Sequence, residues 1–372
     1  MNNSKNRFDY LDILKALAIL FVIIYHFNSF HENFLENNSI SVYFNFYIKT
    51  IFSTCVPIFF FINGALLLNR KELDIKKHLF NCVKIFGLVV IWSMITIAFL
   101  TYIWTDFHSI SDYFNNFCTK DNLCSFFKLK RIWNNHLWFL IALFCIYIFY
   151  PIIYVAFKSN KKVFYFFLIA TLIFTFLNTF IGDVVSIISY FTHHHFHDYH
   201  FFNFGCDYNP FRSICGYGLG YFMLGGLLFE NRERLSSKKM KLLAFPLMII
   251  STISLFCLGY MMSKGNNGMW DVCFNGYNTV FTLINVVCLF VIFLNYEIKT
   301  FTGRFISLIG RHSLGIYLIH IPVGSLLMNY WWRWDLHSLF PNILLGLAIL
   351  LISFTISYII SKIPYLKKIV TI

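Results

Sequence analysis

Long apolar runs separated by short polar ones set the pattern of this chain. Ten stretches near 20 residues in length, 11–30, 46–68, 83–104, 136–157, 163–182, 211–229, 242–262, 277–295, 312–331 and 341–361, are apolar throughout most of their length. Each is long enough to cross a hydrocarbon core of ~30 Å as a helix. The pattern predicts an all-α fold, a polytopic membrane helix bundle of about ten transmembrane helices. The longest pieces between runs, about 105–135 and 183–210, are loops, so no separate soluble domain is left over. No fixed-period repeat or low-complexity linker divides residues 1–372, which read as one integral membrane domain.

Composition agrees with that solvent. The 372 residues are 58% hydrophobic and 21% aromatic with only 13% charged, too little polar surface to cover a soluble globule. The formal charge of +13 would suit a nucleic-acid partner only on a soluble basic face, whereas here the basic residues stand in short clusters between apolar runs. No nucleic acid is therefore expected, and membrane lipids are. With the N-terminus inside, 21 Lys and Arg fall in inward segments against 8 in outward ones, and Lys15 lies within the first run. The positive-inside rule then places both termini in the cytoplasm. The first run is not a signal peptide, because "YHFNSFHENF" at its end offers no small-residue cleavage site.

Ten cysteines invite a redox reading. Cys118, Cys124, Cys206 and Cys273 fall in outward loops where a disulfide is permitted, but no CxxC pair has zinc-finger spacing. Small apolar side chains, with room for one disulfide, are the expectation.

The first run carries the candidate chemistry. A cation in lipid costs ~2.5–3.5 kcal/mol on insertion scales, yet Lys15 and His26 both lie inside it. Their spacing amounts to about three helical turns plus 20°, so both sit on one face, roughly 16 Å apart along the axis. Such a stripe would suit a lined cavity entered from inside and ending at a proton acceptor, since neutral imidazole is tuned for general-base work. The plainer alternative is a lysine snorkelling toward Asp12 and an interfacial histidine.

"YLDILKALAILFVIIYHF" resembles the first helix of the acyltransferase-3 membrane family, whose hallmark is Arg or Lys, ten residues, then His; Lys15 and His26 match it. "VPIFFFINGALLL" (56–68) resembles the second-helix motif with Asn63 at a usual serine. "HLWFLIALFCIYIFYPII" (136–153) resembles the fourth helix of the WecH-like O-acetyltransferase branch. "NTVFTLINVVCLFVIF" (278–293) and "IGRHSLGIYLIHIPV" (309–323) resemble the late helices. The resemblance implies an enzyme of the bacterial cytoplasmic membrane that takes an acyl group, usually acetyl from acetyl-CoA, to a hydroxyl of a cell-surface or lipid-linked glycan. His26 would be the catalytic base, or form an acyl-histidine, and Lys15 would steady donor or chemistry. No metal is expected. Two departures stand out: "KKHLFNCVK" replaces the family's Arg-x-x-Arg, and lysine replaces the commoner arginine at 15. Lys76, Lys77 and Lys84 are then candidates for the CoA phosphates, or lipid-headgroup anchors.

For the acceptor, His136 and Trp138 could frame a sugar ring or mark the membrane interface, and His320 beside Tyr317 is either a site group or a packing residue. The loop "THHHFHDYH" (192–200) could hold zinc through His193, His197 and His200, or contact acceptor, or be a solvated loop. A transporter or exporter built on the same helices is the rival class, but the sequence lacks paired broken helices in matching halves. The other large histidine-dependent membrane acyltransferase family places its histidine in a later helix. Oligomeric state leaves no mark on the sequence.

Overall fold

A computed structural model describes residues 8–27, 32–104, 136–192, 211, 214–331 and 338–371. The described residues form helices and turns with no strand: α1 (Asp9–His26), α2 (Ile40–Phe52), α3 (Cys55–Leu68), α4 (Ile75–Trp104), α5 (Trp138–Ser159), α6 (Lys161–Leu172), α7 (Asn178–Thr192), α8 (Ile214–Glu230), α9 (Lys238–Gly265), α10 (Val280–Phe293), α11 (Phe301–Arg311), α12 (Ser313–Trp331) and α13 (Leu339–Lys362).

Every one of the ten apolar stretches contains a helix, and the chain is a multi-pass membrane protein. Among the described residues six helical units are long and apolar enough to span, or seven if α11 and α12, bent by 77°, count as one. The departures from ten have local causes. Helix α1 has 18 residues but carries Asp9, Asp12 and Lys15, and α10 has only 14. The stretch 46–68 is two helices, α2 and α3, stepping at Ser53 and Thr54 within one unit from Ile40 to Leu68. Helices α6 and α7 run together through a π-helical turn, Ile173–Leu177.

Local chemistry explains where the helices begin. Side-chain oxygens of Asp74, Asn160, Ser237, Thr279 and Thr300 accept from backbone N–H groups three residues on, filling donors that a helix start leaves unpaired. Pro57 sits in the first turn of α3, where its missing N–H is harmless. Apolar side chains such as Ile152, Phe166 and Leu242 are exposed on outer helix faces, as lipid-facing residues are.

Glycine decides the tightest contacts. A Cβ at Gly64 would lie 1.7 Å from the carbonyl oxygen of Phe222, and one at Gly225 would lie 2.0 Å from that of Phe61, so α3 and α8 touch backbone to backbone. Membrane helices associate this way because packing, not expulsion from water, holds them. Gly310 makes the same contact with α1, its virtual Cβ 1.8 Å from the carbonyl of Asp12. Helix α1 also packs on α2, α3, α10, α12 and α13, which puts it at the centre of the bundle.

Charged groups cluster at the two ends of α1. Glu32, Lys49 and Asp271 meet at one end, while Asp9 meets Arg311 and Arg232 lies over Phe8 at the other. After α13 the chain folds back: Trp92 Nε1 donates to the carbonyl of Ile369 at 2.7 Å, and Val370 is buried against Gly315.

Gly64→Ala should destabilise the fold by at least the ~1–3 kcal/mol typical of overpacking, because the obstruction is backbone, and so lower the unfolding temperature in detergent. Gly87→Ala, with open space around its Cβ, should leave that temperature unchanged or slightly raised in the same thermal melt.

Candidate active site

Helix α1 positions Lys15 near one end and His26 at the other. Lys15 Nζ donates to Asp12 Oδ1 at 3.4 Å, and its side chain is 22% exposed. Asp12 is buried and its second oxygen faces Arg311 Nε at 3.6 Å, while the Arg311 guanidinium reaches Asp9 at 3.7 Å. Lys15 is therefore held in a four-residue charge network that ties α1 to α11. This combines the expected Asp12 contact with one that sequence does not show, since Arg311 is 299 residues beyond Asp12 and comes into reach only through Gly310.

His26 ends α1 among rings. It is exposed, yet its ring centroid lies 5.4 Å from that of His320, which is 0% exposed, and His320 lies 5.7 Å from His136, which is 5% exposed. The Tyr317 hydroxyl donates to the backbone carbonyl of His136, tying α12 to the start of α5. His320 Nδ1 is 2.5 Å from the carbonyl of Tyr317. The Nε2 atoms of His136 and His320 are buried without a hydrogen-bond partner. Four predicted site residues, His26, His136, Tyr317 and His320, thus come together from α1, α12 and the turn that leads into α5. Trp138 is not in this ring contact; it packs on Phe274 and Tyr277, with centroids 6.2 and 6.0 Å away, in an adjoining aromatic wall.

The expected polar stripe along α1 is not continuous. Ala18, Ile19 and Val22, on the face between Lys15 and His26, are buried, as expected for a helix packed on six others. Accessible surface runs instead along α3, at half-buried Phe59 and Asn63 and exposed Leu66, spaced i, i+4, i+7, with exposed Arg70 just past the helix end. Helix α3 packs on α1, α5, α8 and α10, and two residues of this strip, Phe59 and Asn63, meet Phe139 and Tyr147 of α5. Asn63 accepts from the Tyr147 hydroxyl at 2.8 Å and donates to the carbonyl of Phe59. Phe139 links the strip to the histidines, 5.7 Å from Phe59 and from Tyr317.

Lys76 and Lys77 are exposed at the start of α4. Lys84, half-buried two turns on, has the charges of Lys367 and Lys368 beside it, carried on the turn Leu366–Ile369 that Trp92 anchors. Sequence reading missed these two lysines, which fell among topology signals some 280 residues away.

A second polar group adjoins His26. The Tyr25 hydroxyl donates to Asp271 Oδ2 at 2.5 Å, and Lys49 joins Glu32 at 2.5 Å and Asp271 at 3.5 Å. Burial raises the Glu32 carboxyl against the pull of Lys49. His193, His197, His200, Cys118, Cys124 and Cys206 lie outside the described residues, among which no group of three or more side chains could hold a metal. Cys273, expected as a disulfide candidate, is a buried free thiol, its sulfur 3.7 Å from the Tyr277 hydroxyl. Burial pushes that thiol well above its usual range.

A bundle of apolar helices enclosing a histidine cluster and a buried carboxylate shared by two cations is the frame of a membrane enzyme rather than of a scaffold. The profile of the acyltransferase-3 family, described as an acyltransferase domain, matches residues 8–362, and the chain belongs to this family. It is thereby a membrane acyltransferase. No curated protein and no solved structure matches it.

Cys273 should resist N-ethylmaleimide in the folded protein and react after denaturation without reductant. Mass spectrometry of the labelled peptide reads this, and labelling that needs prior reduction would reveal a disulfide instead.

Proposed function

We propose that this acyltransferase moves acetyl from cytoplasmic acetyl-CoA to a hydroxyl of a cell-surface or lipid-linked glycan. It would sit in the bacterial cytoplasmic membrane with both termini inside, as in the WecH-like O-acetyltransferase branch. The observation that carries this reading is an accessible imidazole, His26, resting against buried His320, which in turn meets buried His136, both with Nε2 atoms that have no hydrogen-bond partner among the described residues.

A thioester is a good acyl donor and a sugar hydroxyl a poor nucleophile. His26 takes the hydroxyl proton as the oxygen attacks the thioester carbonyl; the C–S bond then breaks, and the thiolate leaves as CoA thiol with that proton. Base catalysis of this kind contributes ~10²–10⁴ in rate. Lys15 serves through the Asp12–Arg311 network, which fixes α1 against α11 and so fixes the height of His26. Lys84, Lys367 and Lys368 bring like charges together, which favours an anion such as the CoA phosphates, with Lys76 and Lys77 at the approach. The strip Arg70, Leu66, Asn63 and Phe59 is the donor arm's path toward the histidines, since α1 itself is closed. Trp138 with Phe274 and Tyr277 offers aromatic faces for a sugar on the opposite side. An exporter is less well supported, because among the described residues only one helix pair, α11 with α12, is sharply bent.

His26→Ala and Lys15→Ala, expressed at wild-type level, should each remove acetyl ester from surface glycan as read by mass spectrometry; unchanged ester in both eliminates the assignment. Lys84→Glu with Lys367→Glu should raise the KM for acetyl-CoA several-fold at low salt with little change in kcat. That difference should shrink near 1 M salt, where the screening length is ~3 Å.

A further inference from the structure

We infer that His320 is the positioning residue for His26, accepting a hydrogen bond from one of its ring nitrogens so that the other nitrogen is left as the base. The inference rests on the acyl-transfer reading for its consequence, though not for its geometry. His320 Nδ1 lies 2.5 Å from the carbonyl oxygen of Tyr317. A carbonyl can only accept, so Nδ1 carries the hydrogen and a neutral His320 has its lone pair on Nε2. That Nε2 is buried with no partner, on a side chain that is 0% exposed. A buried acceptor left unpaired is destabilising, which marks a missing donor.

The groups facing His320 narrow the choice. Among the described residues, the rings around it are His26 on α1 at 5.4 Å, His136 before α5 at 5.7 Å, Tyr317 on α12 at 5.7 Å and Phe27 at 6.4 Å. Phe27 has no polar hydrogen, and the Tyr317 hydroxyl is already given to the carbonyl of His136. His136 stands nearly perpendicular, at 87°, and is itself buried; His26 is tilted by 47°, closest, and the only one of the two histidines with an accessible side. At 5.4 Å between centroids a small ring rotation brings an N–H of His26 onto the Nε2 lone pair. Hydrogen-bond polarity then runs one way: the Tyr317 carbonyl accepts from His320, His320 accepts from His26, and the outward nitrogen of His26 accepts from the acyl acceptor. A carboxylate does the orienting in many soluble enzymes. Here a neutral imidazole on α12 performs the task, its ring 5.4 Å from that of His26.

Nitrogen-15 histidine spectra of the full chain in micelles, with His26 assigned by His26→Gln, report ring tautomers directly. The expected result is an Nδ1–H tautomer for His320, a single tautomer for His26, and averaging of His26 between both tautomers in His320→Leu. His320→Gln, whose amide oxygen still accepts, should restore the single tautomer. In parallel, release of CoA from acetyl-CoA should fall roughly 10²-fold in kcat with KM unchanged for His320→Leu, with partial rescue in His320→Gln. An Nε2–H tautomer at His320, or a His26 tautomer that ignores His320→Leu in monodisperse protein, overturns the inference. Full activity of His26→Gln would instead remove the acyl-transfer reading while leaving the tautomer result standing.

Discussion

Where α1 can sit is set by one backbone contact, the carbonyl of Asp12 against the α-carbon of Gly310. Any side chain at that glycine would push α11 away, and Arg311 would lose its reach to Asp9 and Asp12. Helix α1 bears two acids, a lysine and a histidine, and such a helix cannot stand against hydrocarbon. The bundle therefore encloses it, with α2, α3, α10, α11, α12 and α13 as its walls. The second backbone contact, between α3 and α8 at Gly64 and Gly225, holds the half of the bundle that carries the accessible strip.

With α1 enclosed, the two ends of the protein acquire different characters. One end is an ionic network in which Asp12 is shared between Lys15 and Arg311, so that a buried carboxylate has two cations near it. Buried charges are tolerated when they are paired, and removing one partner is what destabilises. The other end gathers imidazole and phenol, with His136, Tyr317 and His320 buried and His26 exposed, beside a second ion cluster of Glu32, Lys49 and Asp271. Neutral groups suit that depth because they carry acid–base capacity without the full desolvation cost of a fixed ion.

With Ala18, Ile19 and Val22 closely packed, Lys15 and His26 are joined by the rigidity of α1 and not by an open stripe. Partly exposed side chains lie along α3 instead, at Asn63 and at Phe59, whose ring meets that of Phe139. The basic cluster of Lys84, Lys367 and Lys368 is built by the returning C-terminal turn, and the aromatic wall by Trp138 at the start of α5 together with Phe274 and Tyr277 from the turn between α9 and α10.

Much of this was legible residue by residue. Apolar runs must become helices in lipid, because a spanning segment has to satisfy its own backbone, and so the all-helical fold and the membrane solvent follow from composition and run length alone. Lys15 and His26 announced themselves by standing where polar side chains are expensive, and Asn63, Tyr317 and His320 by lying in ordered motifs. Tertiary structure alone decided the rest. It brought Arg311 to Asp12, Lys367 and Lys368 to Lys84, and three imidazoles around one point; it left Cys273 a free thiol; and it moved the accessible strip from α1 to α3. The physical reason is that burial periodicity tells which face of a helix avoids lipid, but every apolar face looks alike in sequence. Only the glycine contacts that let particular backbones touch determine which neighbour each face receives.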